Sequence, residues 1–212
     1  VALKGKKSGT APASTSTQTP GPGTSPTLTP VSPADVSARV DTSWINPQRW
    51  IPLSAPLQSR AGSRGPNVYY SIAQQFRVTE MPRYVAQPPQ TWCNIYAWDV
   101  TKAMGAEIPH WYDKVSGVPM PVGKGSEMRA NDMVTWLDQG NGGWRQVPGD
   151  TAKARAAVGY PTVVIWANPS GPGHVAMLLP DGSIAQAGAT NLWRASITSG
   201  FGYRAVKFFT HD

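Results

Sequence analysis

The chain has 212 residues with nine Trp, a single Cys and a formal net charge of +7. One cysteine excludes an intrachain disulfide, and the absence of any run of eighteen apolar residues excludes a predicted membrane-spanning helix. The charge is uneven: residues 1–64 carry seven Lys or Arg against two Asp, and residues 65–212 carry twelve against ten acids. The basic excess therefore lies in the N-terminal part. With no helix or aromatic platform to organise Lys4, Lys6 and Lys7, it reads as a solvated tail, and no specific nucleic-acid partner is expected.

Residues 1–34 include twenty-two Gly, Pro, Ser or Thr. So few apolar side chains cannot offset the entropy of ordering, so the stretch reads as a proline-stiffened, low-complexity linker. Such a linker behind a Val1 start leads to the expectation of a C-terminal piece of a longer polypeptide, tethered to a further domain or assembly. No signal-peptide apolar core is visible. In residues 35–65, Trp44, Ile45, Trp50, Ile51, Leu53 and Leu57 are interrupted by Pro47, Pro52 and Pro56. Those prolines forbid a continuous helix or central strand, so an extended segment packed on the next domain is expected. Residues 66–212 hold nearly all the periodic apolar pattern and are enough for one core.

Within that domain, Val68–Phe76 has helical apolar spacing. A second helix is predicted from Cys93, with Ile95, Trp98, Val100 and Met104 on its buried side and Gly105 as its left-handed stop. Ile108–Tyr112 reads as a loop. Asn131–Gln139 predicts a third helix ended by Gly140, and a fourth opens with Asp150 as N-cap and stops at Gly159-Tyr160-Pro161. The texture then changes to strands at Thr162–Ala167, His174–Leu179, Ser183–Ala187 and Tyr203–Phe209, with a turn at Pro180-Asp181-Gly182. Helices first and strands second is an α+β order.

The chemistry converges on Cys93. A thiol at a helix start meets unpaired N–H groups and the positive end of the dipole, which favour the thiolate. His174 follows Gly171-Pro172-Gly173 and opens an apolar strand, so it can supply a base. Gln186 lies twelve residues later across a turn, a separation compatible with the same sheet face, and could orient the imidazole.

The run Thr91-Trp92-Cys93-Asn94, the run Gly173-His174-Val175-Ala176 and the step to Gln186 resemble the papain-like peptidoglycan hydrolases of the CHAP (cysteine, histidine-dependent amidohydrolase/peptidase) and NlpC-like group, over about Val68 to Asp212. The resemblance implies a papain-like fold and a cysteine amidase or endopeptidase acting on bacterial peptidoglycan. It would cut the N-acetylmuramoyl-L-alanine bond or a stem or cross-bridge peptide bond. By this resemblance Cys93 is the nucleophile, His174 the base and then the acid, and Gln186 the orienting residue, with Asn191 as the alternative third member. The Cys93 backbone N–H and the side chain of Tyr84, placed about ten residues before the Cys, would hold the oxyanion. Gln186 is a less common choice for the third position, and Asn94 stands where the NlpC-like branch has Ser. The resemblance also implies a place outside the cell, at the wall or on a virion, as in phage lysins. Two alternatives accompany this reading: a catalytically silent wall-binding or virion module, and an acyltransferase using the same triad.

Trp92, Asn94, His110 and Trp193 are the candidate substrate-side residues, since flat aromatic faces suit sugar rings. Trp98, Trp136 and Trp166 read as core. Three histidines and one cysteine this scattered make no zinc-ligand pattern, so neither metal nor cofactor is expected.

Overall fold

A computed structural model describes residues 41–212; the predicted linker over 1–34 and residues 35–40 lie outside them. The described chain is mixed α+β, with helices in its N-terminal half and an antiparallel sheet towards its C-terminus. Among the described residues, no helix is long and apolar enough to cross a membrane.

Helix α1 spans Pro66–Gln75, with Pro66 at a first-turn position where its missing N–H costs nothing. Helix α2, Cys93–Ala103, is buried at every residue except Lys102, as expected of a helix covered on all sides. Gly105 ends this region with φ +63°. Helix α3 is Ala130–Asp138, followed by Gly140 at φ +71°. Helix α4 is Gly149–Ala157; its N-cap is Pro148, so Asp150 sits inside the first turn rather than at the cap, where its charge still favours the dipole.

Two short strands, β1 (Trp111–Tyr112) and β2 (Ser126–Glu127), form a separate antiparallel ribbon. Trp111 and Tyr112 therefore belong to a strand, not to the expected loop. The main sheet contains β3 (Arg145–Val147), β4 (Thr162–Trp166), β5 (His174–Leu178), β6 (Ile184–Gln186), β7 (Leu192–Ala195) and β8 (Lys207–Thr210). Its order is β3-β8-β4-β5-β6-β7, antiparallel throughout. Strand β8 is shorter than predicted because Gly202 turns the chain at φ +61° and leaves Tyr203 fully exposed. Strands β3 and β7 and the short helix α5 (Ile197–Phe201) carry too little apolar alternation to be seen in sequence. Helix α2 packs on β5 and β6, α3 on β4 and α4 on β8.

Residues 41–65 form neither helix nor strand and run over the domain as a strap. Ile45, Leu53 and Ala55 reach the core. The Leu57 N–H donates to Gln75 Oε1 at 3.0 Å, and Gln75 Nε2 donates back to the Leu57 carbonyl at 2.9 Å. The fully buried Arg83 binds the strap more tightly: it donates to the carbonyls of Asn46, Gln48, Arg49 and Ile51 and forks onto Asp99 of α2 at 2.7 and 2.9 Å. The strap makes only isolated turn hydrogen bonds of its own, and a single side chain supplies donors to four of its carbonyls.

Candidate active site

Cys93 is the first residue of α2 and borders a cleft of about 1010 Å³. Only 5 % of the residue is exposed. Burial pushes the thiol up, against the opposing pull of the N–H groups of Val175, Asn94 and Cys93 itself. This corrects the sequence expectation: the helix start does favour the thiolate, but desolvation outweighs it and the resting sulfur is protonated. The Val175 contact also sets the thiol beside the start of β5, where His174 lies.

His174 Nε2 lies 2.6 Å from Gln186 Oε1. Gln186 Nε2 donates to the Thr190 carbonyl at 3.3 Å, which turns the amide so that its oxygen faces the ring. An amide oxygen only accepts, so Nε2 of His174 carries the proton and Nδ1 keeps its lone pair. Burial holds the imidazole below its usual range; the Gln186 bond raises it and the nearby Arg204 lowers it. The base is therefore neutral at neutral pH.

Glycines make this arrangement possible. A Cβ on Gly173 would collide with Asn131 Oδ1 and lie 2.7 Å from the Trp166 carbonyl. Asn131 is itself a clamp: its amide donates to the carbonyls of Asn168 and Gly171, and its oxygen accepts from the Asn168 N–H, fixing the loop that delivers His174. On the other side, a Cβ on Gly200 of α5 would collide with Gln186 Oε1, and Phe201 of the same helix packs 5.0 Å from the His174 ring. Neither Asn131 nor Gly200 carries a sequence signal beyond its position near a helix end.

The remaining candidates separate clearly. Trp92 and Asn94 line the cleft; Trp92 donates to the Val85 carbonyl under the Arg49 guanidinium, and Asn94 donates to the Met128 carbonyl at 3.1 Å. Tyr84 is not an oxyanion donor in this arrangement: it is fully buried and gives its hydroxyl to Asp99 Oδ2 at 2.8 Å. Asn191 does not reach His174 either, because its amide donates to the carbonyls of Val78 and Tyr84. Trp193 sits on β7 with its ring against Tyr70, away from the cleft lining. His110 is buried, stacked 5.1 Å from Trp98, and lies behind the cleft wall with Nε2 3.9 Å from the carboxylate of Glu127.

The wall carrying Glu127 also holds Lys114, Arg129 and Asp132. Its pairs are loose, 3.7 Å for Lys114 with Asp132 and 4.0 Å for Arg129 with Glu127, so both signs of charge are open to a ligand. No cluster of His, Cys, Asp and Glu among the described residues has the form of a metal site. Compared with known proteins, the chain matches no protein-family model and no curated protein.

Proposed function

We propose that this protein is a cysteine-dependent hydrolase with a papain-like fold that cleaves an amide bond of bacterial peptidoglycan, at the wall or as part of a virion-associated lysin. The observation that carries the reading is the 2.6 Å bond from His174 to a Gln186 amide whose orientation is set by Thr190, beside a thiol at a helix start in an open cleft. A purely structural histidine has no need of an oriented partner that leaves one ring nitrogen free and points the tautomer towards proton abstraction.

The reaction follows from these groups. As sulfur attacks the amide carbon, the Sγ proton passes to Nδ1 of His174, and the Cys93 backbone N–H faces the developing oxyanion. Collapse breaks the C–N bond, and the imidazolium returns its proton to the leaving amine. Water, deprotonated by the same nitrogen, then hydrolyses the thioester and restores the thiol. The protonated resting thiol agrees with a route in which attack and proton transfer occur together.

The test is digestion of purified sacculi with the native protein and with Cys93→Ala. New amines and soluble fragments are expected from the native protein only; equal release by both sinks the cysteine mechanism. The near-complete burial of Cys93 favours a second reading, a silent wall-binding module. That reading predicts sacculus binding that survives alkylation of Cys93, with no product.

A further inference from the structure

Among the described residues, seven ion pairs meet at 3.0 Å or closer. Three stay apart at 3.7 to 4.0 Å, and each of these involves Glu127 or Asp132 on one wall of the cleft. A charge already engaged by its partner has little left for a ligand; these are not engaged. His110 is neutral at neutral pH, because burial holds its pKa down to about 4. That leaves Glu127 with Arg129 at 4.0 Å and Asp132 with Lys114 at 3.7 Å, both beyond hydrogen-bond reach.

All four charged residues line the same cleft as Cys93, and the chain that bears three of them is tied to both halves of the reactive site. Asn94, next to Cys93, donates to the carbonyl of Met128, next to Glu127, at 3.1 Å. Glu127 is fixed in the β1–β2 ribbon opposite Trp111. At the start of α3 the Arg129 N–H donates to Asp132 Oδ2 at 3.2 Å, and Asn131 between them clamps the loop that delivers His174. The side chains of Lys114 and Arg129 nevertheless remain more than half exposed.

We propose that this wall is a recognition subsite for a short peptide carrying both a free ammonium and a free carboxylate, with Glu127 taking the ammonium and Arg129 and Lys114 taking the carboxylate. Two cations and two anions leave the wall without net charge. A polyanion would be repelled by Glu127 and Asp132, and an uncharged sugar chain would leave all four charges unanswered. A zwitterion seated between Glu127 and Arg129 replaces one 4.0 Å contact by charge-assisted hydrogen bonds to both residues. The inference rests on the proposed wall-hydrolase reading and narrows it: the cleft selects the peptide part of the wall polymer by charge, rather than its sugars.

The experiment is titration calorimetry of the Cys93→Ala chain, at low ionic strength, with the synthetic tetrapeptide L-Ala-γ-D-Glu-L-Lys-D-Ala. Saturable binding is expected, weakened about tenfold or more by acetylating the peptide amines and, separately, by amidating its carboxyl groups. Adding Glu127→Gln should abolish the penalty of acetylation and keep that of amidation; adding Lys114→Met together with Arg129→Met should do the opposite. Equal affinity for free and blocked peptides, no saturable binding, or loss of both preferences in each variant overturns the inference. So does tighter binding of a peptide-free β-1,4-linked N-acetylglucosamine hexamer. The blocked peptides need no substitution in the wall, so the test stands even where a variant fails to fold. Amine release from sacculi by the unsubstituted protein is read separately. Charge-selective binding without release keeps the subsite and removes the hydrolase reading; release without charge-selective binding keeps the hydrolase reading and removes the subsite.

Discussion

Helix α2 carries two polar centres of opposite design. At its first residue, Cys93 faces an open cleft, beside a histidine with one ring nitrogen engaged by Gln186 and the other left free. Six residues on, Asp99 meets Arg83 and Tyr84 in a knot where the guanidinium forks onto the carboxylate, the tyrosine hydroxyl donates to it, and the strap carbonyls take the remaining donors. The knot spends its hydrogen-bonding capacity on structure. The other end leaves one ring nitrogen with a free lone pair, which is what the proposed mechanism requires.

The largest effect is expected where the knot is broken. Arg83→Leu leaves Asp99 buried without its cation and several strap carbonyls without donors, and removing one partner of a buried pair costs about 3–5 kcal/mol. Chemical denaturation should show that loss, with the strap becoming sensitive to protease. If Arg83→Leu melts with the native protein, the knot is decorative and the contrast between the two ends fails.

Next comes the support beneath the His174–Gln186 bond. Gly200→Ala places a methyl group against Gln186 Oε1, and Gly173→Ala places one against the Asn131 clamp. A displacement of this kind costs about 10²-fold in rate when it shifts a reacting group by an ångström. A drop in kcat/KM on sacculi with little change in melting temperature would locate the effect in positioning. Unchanged turnover in Gly200→Ala would mean that Gln186 does not need its seat.

The sequence revealed the chemical end better than the structural end, for a local reason. Cys93 at a helix start, His174 at a strand start and Gln186 across a Pro-Asp-Gly turn are each marked by nearby periodicity and turn chemistry, and a hairpin converts spacing into proximity. Arg83 and Asp99 meet because a short turn after α1 folds back on α2, and nothing in a separation of sixteen residues announces it. The misassignment of Tyr84 has the same origin. Its offset from Cys93 suited an oxyanion donor, but a hydroxyl goes to the strongest buried acceptor within reach, and Asp99 had no sequence mark as that acceptor. Asn191 likewise stood close to the site in sequence, while its amide closes the carbonyls of Val78 and Tyr84.

A smaller change sharpens the account of the base. Burial outweighs the Gln186 bond, which raises the affinity of His174 for its proton, and keeps the imidazole below its usual range. Gln186→Glu adds a buried negative charge at the same distance, which stabilises the imidazolium and lifts its pKa. The proposed mechanism needs a neutral His174. The acid limb of kcat/KM should therefore lie below pH 6.5 in the native protein and move upward in the variant, with activity at pH 6 falling more than activity at pH 8. A limb that stays fixed would show that another group governs it.

The smallest effect belongs to the third polar site, His110, which lies between the two centres in character: buried like the knot, but with Nδ1 unpartnered. Its surroundings are Trp98 and Trp111 on its faces and edge, the Glu127 carboxylate at 3.9 Å and the positive field of Arg83. Burial first, and then Arg83, push its pKa down to about 4. An unfolded chain binds this proton near pH 6.5 while the folded one refuses it until about pH 4. The contribution is therefore fully present above pH 6.5 and is lost progressively as pH falls towards 4. His110→Phe retains an aromatic ring between the tryptophans and removes the titration. Its melting temperature should decline less than that of the native protein between pH 7 and pH 4.5, while turnover at neutral pH, which does not use this ring, changes little. A parallel decline in the two proteins would assign the acid sensitivity to other groups.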